Sequence, residues 1–474
     1  MLFPTFTFAV FMLIVVPLSW LTMPKTSRWR RAMIVANYVF YAWWNPSYVF
    51  LLAGSTLINQ VLGHAIYRSR TPARRKAFLI AAVVANVGVL LYFKYWDFFA
   101  SSAQNTLASI GIHGSMPLLT TVLPVGLSFY TFMALSYGID IYRGEFAPVS
   151  FSRFAVFLSF FPHLVAGPIV RPKELLPQME TPRDPRRVDT SRAFSLIVLG
   201  LFLKVVIATA CSPIVDKVFG SPSSHSALEA LASIYAYSVQ IFSDFAGYTF
   251  IAIGVALLLG FEFPQNFDNP YSATSLQDFW RRWHMTLSRW LRDYVYIPLG
   301  GNRHGRPATY RNLMATMLIG GLWHGAAWTF VIWGGIHGVG LAAGRWRRER
   351  RQARGEPEPE LTGRRLWLAR LATFHLVCFA WVFFRATSLG GAFSVLGRLF
   401  TGWGLASPAI TLPLVAAIVV GLAGQLINPR AWRVVMVRLS TAPVVAQGLA
   451  LGFVLMIINT IGPRGIAPFI YFRF

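Results

Sequence analysis

Apolar runs recur from one end of this chain to the other, and several reach the roughly 17 to 25 residues with which a helix crosses a hydrocarbon layer about 30 Å thick. No aqueous core can hold them all. Of 474 residues, 55% are hydrophobic and 13% charged, where an average soluble domain is about one-quarter charged. Lipid is therefore the solvent, and each run must close its own backbone hydrogen bonds, as a helix does. The fold class that follows is an all-α polytopic membrane protein.

The formal net charge of +25 is of the kind that neutralises phosphates in nucleic-acid binders, but its placement argues otherwise. The basic residues cluster in short loops between apolar runs, the pattern expected when cytoplasmic loops retain Lys and Arg during insertion. Nucleic acid is not an expected partner. The two cysteines, Cys211 and Cys378, lie far apart in apolar runs and suggest neither a disulfide framework nor a metal site.

These loops orient the trace. A first span from about Leu2 to Leu21 precedes Lys25, Arg28, Arg30 and Arg31, which mark a cytoplasmic loop. With no basic residue ahead of Lys25, this run reads as a retained span rather than a cleaved leader. A hairpin from Ala32 to Tyr67 turns at Asn45-Pro46, and a span from Phe78 to Trp96 leads to Asp97 to Met116, which has no Lys or Arg and is expected outside. Another span runs from Leu118 to Tyr142. Phe160 to Pro168, with basic residues on both sides and Pro and Gly within, is expected to be re-entrant or interfacial. Spans from Phe194 to Cys211 and Leu228 to Leu259 precede a basic cytoplasmic region, Phe261 to Arg311. The apolar stretch from Leu313 to Ala343 has basic flanks on both sides, which predicts two helices meeting near Trp323-His324-Gly325 and puts His324 inside the membrane. Spans from Leu366 to Phe384, Leu412 to Leu426 and Val444 to Ile461 complete about eleven crossings, with Arg430, Arg433 and Arg438 between the last two and both termini outside. No internal repeat or second domain is evident, so residues 1–474 read as one domain.

Between Ser275 and Tyr296 a 3.6-residue period gathers Leu276, Trp280, Trp283, Leu287, Leu291 and Tyr294 on one face. This predicts an interfacial helix on the cytoplasmic side. His284 falls at the edge of that face, as a packed histidine bonded to a carbonyl or as part of a site. Arg281, Arg282, Arg289 and Arg292 lie away from it. Guanidinium forks suit the phosphates of an anionic cofactor such as coenzyme A, and equally suit anionic headgroups.

His324 carries more weight, because ionisable residues inside a membrane are costly and often functional. Gly320, Gly321 and Gly325 leave room beside it, Trp323 and Trp328 offer aromatic walls, and His337 follows between Gly335 and Gly338. A low-dielectric site favours neutral imidazole, which can act as a general base; interhelical hydrogen bonding is the structural alternative. Asp244 lies inside an apolar span, where it orients a histidine, lines a polar channel or pairs with Lys204. No metal motif of the HExxH type and no phosphate loop is present.

Five words of sequence, Phe160-Phe161-Pro162-His163-Leu164-Val165-Ala166-Gly167-Pro168-Ile169, Asp278-Phe279-Trp280-Arg281-Arg282-Trp283-His284, Trp290-Leu291-Arg292-Asp293-Tyr294, Tyr296-Ile297-Pro298-Leu299-Gly300-Gly301-Asn302-Arg303 and Gly321-Leu322-Trp323-His324-Gly325, resemble the membrane-bound O-acyltransferase family. The likeness is to its bacterial branch, which O-acetylates alginate and other polysaccharides; Trp381-Val382-Phe383-Phe384-Arg385-Ala386 and the terminal Ala467-Pro468-Phe469-Ile470-Tyr471-Phe472 extend it. The resemblance implies a helical fold around a central tunnel, with His324 at the invariant histidine, His284 at a second important one, and Arg303 joining the donor-side arginines. It further implies acetyl-coenzyme A as donor without a permanently bound cofactor, an extracytoplasmic polysaccharide acceptor, an esterase-like partner protein, and a bacterial cytoplasmic membrane. Two departures stand out: His163 occupies a position where the branch commonly has Gln, and Thr249-Phe250 replaces a Ser-Asp pair.

On this reading His324 takes a proton from an acceptor hydroxyl that attacks a thioester carbonyl, and His284 positions or protonates a group on the donor path. The rival of another class is a transporter or flippase, which broken helices and membrane-depth ionisable residues also fit. A close variant transfers D-alanyl groups to teichoic acid.

Overall fold

In a computed structural model, residues 1–119, 122–427 and 441–461 are described, and every regular element among them is helical. Among the described residues, five helices are long and apolar enough to cross a membrane: Tyr48–Arg68, Pro72–Ser109, Thr190–Gly220, Ala227–Leu258 and Gly363–Arg385. Phe6–Thr22, Leu412–Leu426 and Val445–Ile458 are shorter apolar helices. Arg430, Arg433, Arg438 and the terminal motif from Ala467 to Phe472 lie outside the described residues.

Several expected boundaries move: the helix expected from Ala32 starts at Thr26 and so takes in Arg28, Arg30 and Arg31, and the span expected to end at Cys211 continues to Gly220. The span expected to end at Trp96 continues to Ser109, through a π-helical turn at Leu91–Tyr95. Its polar residues tolerate helix because their hydroxyls return to carbonyls one turn back: Ser101 Oγ donates to Asp97 at 2.6 Å and Thr106 Oγ1 to Ser102 at 2.9 Å. The span expected from Leu118 instead forms the helix Leu127–Arg143, which starts after Gly126 at φ 77°. A Cβ there would strike the carbonyl of Leu164, so a bare α-carbon is required twice over.

Contacts divide the chain into two compact units, Met1–Ala193 with Ala252–Pro264, and Phe194–Ile251 with Gln265–Phe474. In the first, the expected re-entrant segment is irregular and buried. Helix Phe151–Ser159 stops at Phe160, a single turn spans Phe161–Leu164, and residues from Phe160 to Val170 are all buried. Asn37 bridges the break: its Nδ2 donates to Ser159 Oγ at 3.2 Å and its Oδ1 accepts Phe161 N–H at 3.1 Å. His163 donates from Nε2 to the Phe157 carbonyl at 2.9 Å and stacks on Phe263.

The second unit holds the almost wholly buried helix Ala227–Leu258 as far as Ile251, and the hairpin formed by Gly305–His324 and Trp328–Ala353. The hairpin turns where its basic flanks predict. Its two arms meet backbone to backbone, since a Cβ at Gly321 would strike the Phe330 carbonyl and one at Gly334 the Met317 carbonyl. Close approach of this kind is the usual use of small residues between membrane helices.

Candidate active site

The expected single helix from Ser275 to Tyr296 is two helices, Leu276–Arg282 and Met285–Leu291, followed by a π-helical turn at Arg292–Tyr296. The break falls at Trp283, which is extended, and at His284, which adopts the left-handed conformation at φ 41°, ψ 54°. Asn266 accounts for it. Met285 N–H donates to the Asn266 carbonyl at 2.9 Å, Thr286 N–H to Asn266 Oδ1 at 3.1 Å, and Thr286 Oγ1 to the same Oδ1 at 2.8 Å. The first amides of a helix lack intrahelical partners, and here a residue from a distant loop supplies them. All six apolar-face residues are nonetheless buried, so the period located the face although it missed the bend.

The bend sets the ring of His284. Its Nδ1 lies 3.2 Å from Asn266 Oδ1, the residue is fully buried, and burial pushes its imidazole down to about 3. The ring is therefore neutral at ordinary pH. Asn266 Nδ2 in turn donates to Thr249 Oγ1 at 3.4 Å, which gives Thr249, one of the two departures from the family pattern, a place in this network.

His324 closes the first arm of the hairpin and is 3% exposed. Aromatic rings enclose it edge-on: Trp323 at 4.9 Å, Trp333 at 5.0 Å and Phe384 at 5.1 Å between centroids. Trp323 also lies 5.9 Å from the ring of His284, so one indole joins the two histidines. His337 is fully buried, receives Trp280 Nε1–H on Nδ1 at 3.2 Å, and sits 4.8 Å from Trp333. His284, Trp323, His324 and His337 thus form one aromatic cluster.

The other expected site residues lie elsewhere. Trp328 is 55% exposed and is not the enclosed wall that the sequence suggested, because it begins the second arm on its outer side. Asp244 forms a buried ion pair with Lys204, the third of the roles open to it. Arg282 is engaged by Asp278 at 2.8 Å and by Asp268 at 4.0 Å, and Arg292 by Asp293 at 2.6 Å. Arg281 and Arg303 are exposed, and Arg289 is half-buried.

This cluster falls within residues 139–353, which match the family model of the membrane-bound O-acyltransferases. The chain is 41% identical over 379 residues to the probable alginate O-acetylase of Pseudomonas aeruginosa, covering 78% of this chain and 69% of that protein. It is 38% identical to the peptidoglycan O-acetyltransferase of Helicobacter pylori, over 77% of this chain and 72% of that one. The chain belongs to the membrane-bound O-acyltransferase family. A teichoic acid D-alanyltransferase of Bacillus subtilis is a more distant relative, at 28% identity over 68% of this chain and 81% of its own length.

As a membrane O-acyltransferase, the chain is an enzyme, and its relatives give the transporter reading no support. Three residues that hold or line the cluster carry little or no mark in the sequence. Asn266 follows Pro264-Gln265 in a stretch with no periodicity, and nothing local marks it. Thr286 is an ordinary helix residue. Trp333 did carry a signal, since it precedes His337 by four residues and therefore shares its helix face.

Proposed function

We propose that this O-acyltransferase moves acetyl groups from acetyl-coenzyme A on the cytoplasmic side toward hydroxyls of an extracytoplasmic polysaccharide. The observation that carries the reading is His324, buried at the hairpin turn within walls of Trp323, Trp333 and Phe384. An imidazole in such a site is shielded from bulk water, so it can take the proton of an acceptor hydroxyl as that oxygen attacks the thioester carbonyl. His284 holds or protonates a group on the donor path, and the exposed Arg281 and Arg303, with Arg289, guide the anionic donor. The similarity to an alginate O-acetylase and a peptidoglycan O-acetyltransferase, both near 40% identity, supports acetyl as the acyl group and a cell-surface glycan as the acceptor.

The same reading puts the protein in a bacterial cytoplasmic membrane, with both termini extracytoplasmic and an esterase-like partner taking the acetyl group onward. Protein reconstituted in lipid nanodiscs with labelled acetyl-coenzyme A is expected to release coenzyme A and acetylate a soluble glycan or an added partner. Equal release by the His324→Ala variant would overturn the assignment. Turnover only with a D-alanyl carrier would favour the D-alanyl transfer of the more distant relatives.

A further inference from the structure

Two buried N–H groups meet no acceptor among the described residues: the indole Nε1 of Trp333, whose ring lies against His324, and the imidazole Nε2 of His337, whose ring lies against Trp333. The proton on His337 Nε2 follows from its other nitrogen. Nδ1 receives the N–H of Trp280 at 3.2 Å, and an indole nitrogen only donates. Nδ1 is therefore bare, the ring is neutral, and its hydrogen sits on Nε2.

His284 is the opposite case. The backbone N–H of Thr286 donates to Asn266 Oδ1, which fixes that atom as the oxygen of the amide, so His284 Nδ1 must donate to it. His284 thus carries a bare Nε2, and His337 a protonated one. Evenly buried and equally aromatic in setting, the two rings are held in opposite tautomers by opposite partners.

Trp333 and His337 stand one turn apart on the helix Trp328–Ala353, with centroids 4.8 Å apart and both side chains fully buried. Trp333 is also 5.0 Å from His324. Buried donors left unmet are costly, and each calls for an explanation. The geometry points to Trp333 Nε1–H and His337 Nε2–H as the donor pair that receives the carbonyl oxygen of the acyl group. His337 is then a neutral electrophilic donor and not a second base.

The assignment rests on the acyl-transfer reading above. The acceptor oxygen bonds to the thioester carbonyl carbon while its proton passes to His324, and the carbonyl π pair moves onto the oxygen, where the two N–H groups stabilise it. That pair then returns, the C–S bond breaks, and the departing thiolate takes the proton back from the His324 imidazolium. Ester and thiol are the products. Donors already aimed at the developing charge need no reorganisation, and losing one typically lowers kcat by about 10² to 10³.

The test uses the full-length protein in nanodiscs with labelled acetyl-coenzyme A. Trp333→Phe keeps the ring and removes the donor; His337→Leu removes the second donor; His337→Gln keeps an N–H near the position of Nε2. Trp333→Phe and His337→Leu are each expected to lower kcat by about 10² to 10³ with KM little changed; the melting temperature should hold in Trp333→Phe and fall in His337→Leu, where Trp280 Nε1–H loses its acceptor, while His337→Gln recovers most of the rate with an unshifted pH profile. Wild-type kcat in Trp333→Phe would overturn the proposal, as would His337→Gln falling as far as His337→Leu or losing the limb of the pH profile that belongs to a base. No turnover by the wild-type protein would sink the acetyl-transfer reading itself, whereas an active wild type with indifferent variants would sink only the donor pair.

Discussion

Each unit contains a histidine at a break in buried backbone, and the two are held in different ways. His163 donates to the carbonyl of Phe157, six residues earlier, so its hydrogen bond is made within one short segment, while the ring stacks on Phe263. His284 is held by Asn266, 18 residues away, and that same side chain caps the helix His284 precedes. Its orientation exists only once the tertiary structure does. The first is hydrogen-bonded within its own segment, the second across the fold.

The contrast can be broken at four points. His324→Ala removes the proposed base and is expected to lower kcat by about 10² to 10⁴, read as coenzyme A release. Lys204→Met removes the ammonium facing Asp244, and losing one member of a buried ion pair costs about 3–5 kcal/mol. That loss should show as a lower melting temperature in detergent, while the surviving folded fraction keeps its KM. A variant with normal stability would mean that the pair is not buried as described.

Asn266→Ala takes the acceptor from His284 Nδ1 and from two groups of Thr286, a loss of about 1–3 kcal/mol per unmet buried group. Stability should therefore fall clearly, and kcat of the fraction that stays folded should fall with it, at least about tenfold. If only stability moved, the aiming of His284 would be refuted. His163→Gln sits at the other end of the scale. A glutamine amide can donate to the same carbonyl, so turnover should stay within about threefold of wild type; a collapse like that of His324→Ala would erase the distinction between the units.

Much of this is legible in the sequence. Basic residues on both sides of an apolar stretch of about thirty residues bent it into a hairpin at His324, because charge fixes which side a chain end occupies. The period from Leu276 to Tyr294 found the buried face for a similar reason, since burial follows spacing whether or not the helix is continuous. The break inside it was not readable. It depends on Asn266, a residue with no local pattern, and on His284 accepting a backbone conformation that sequence statistics disfavour. Trp328 misled because an aromatic beside a buried histidine in sequence need not face it once a new helix starts between them.

The left-handed backbone at His284 has a consequence for how this enzyme can turn over. Such a conformation costs on the order of 1 kcal/mol or more and persists only where its surroundings over-determine it; here Asn266 does so through its carbonyl and its side chain together. The ring cannot swing out and return as a mobile arm would. Reorienting it would first break its hydrogen bond to Asn266, so loosening that anchor should slow the enzyme.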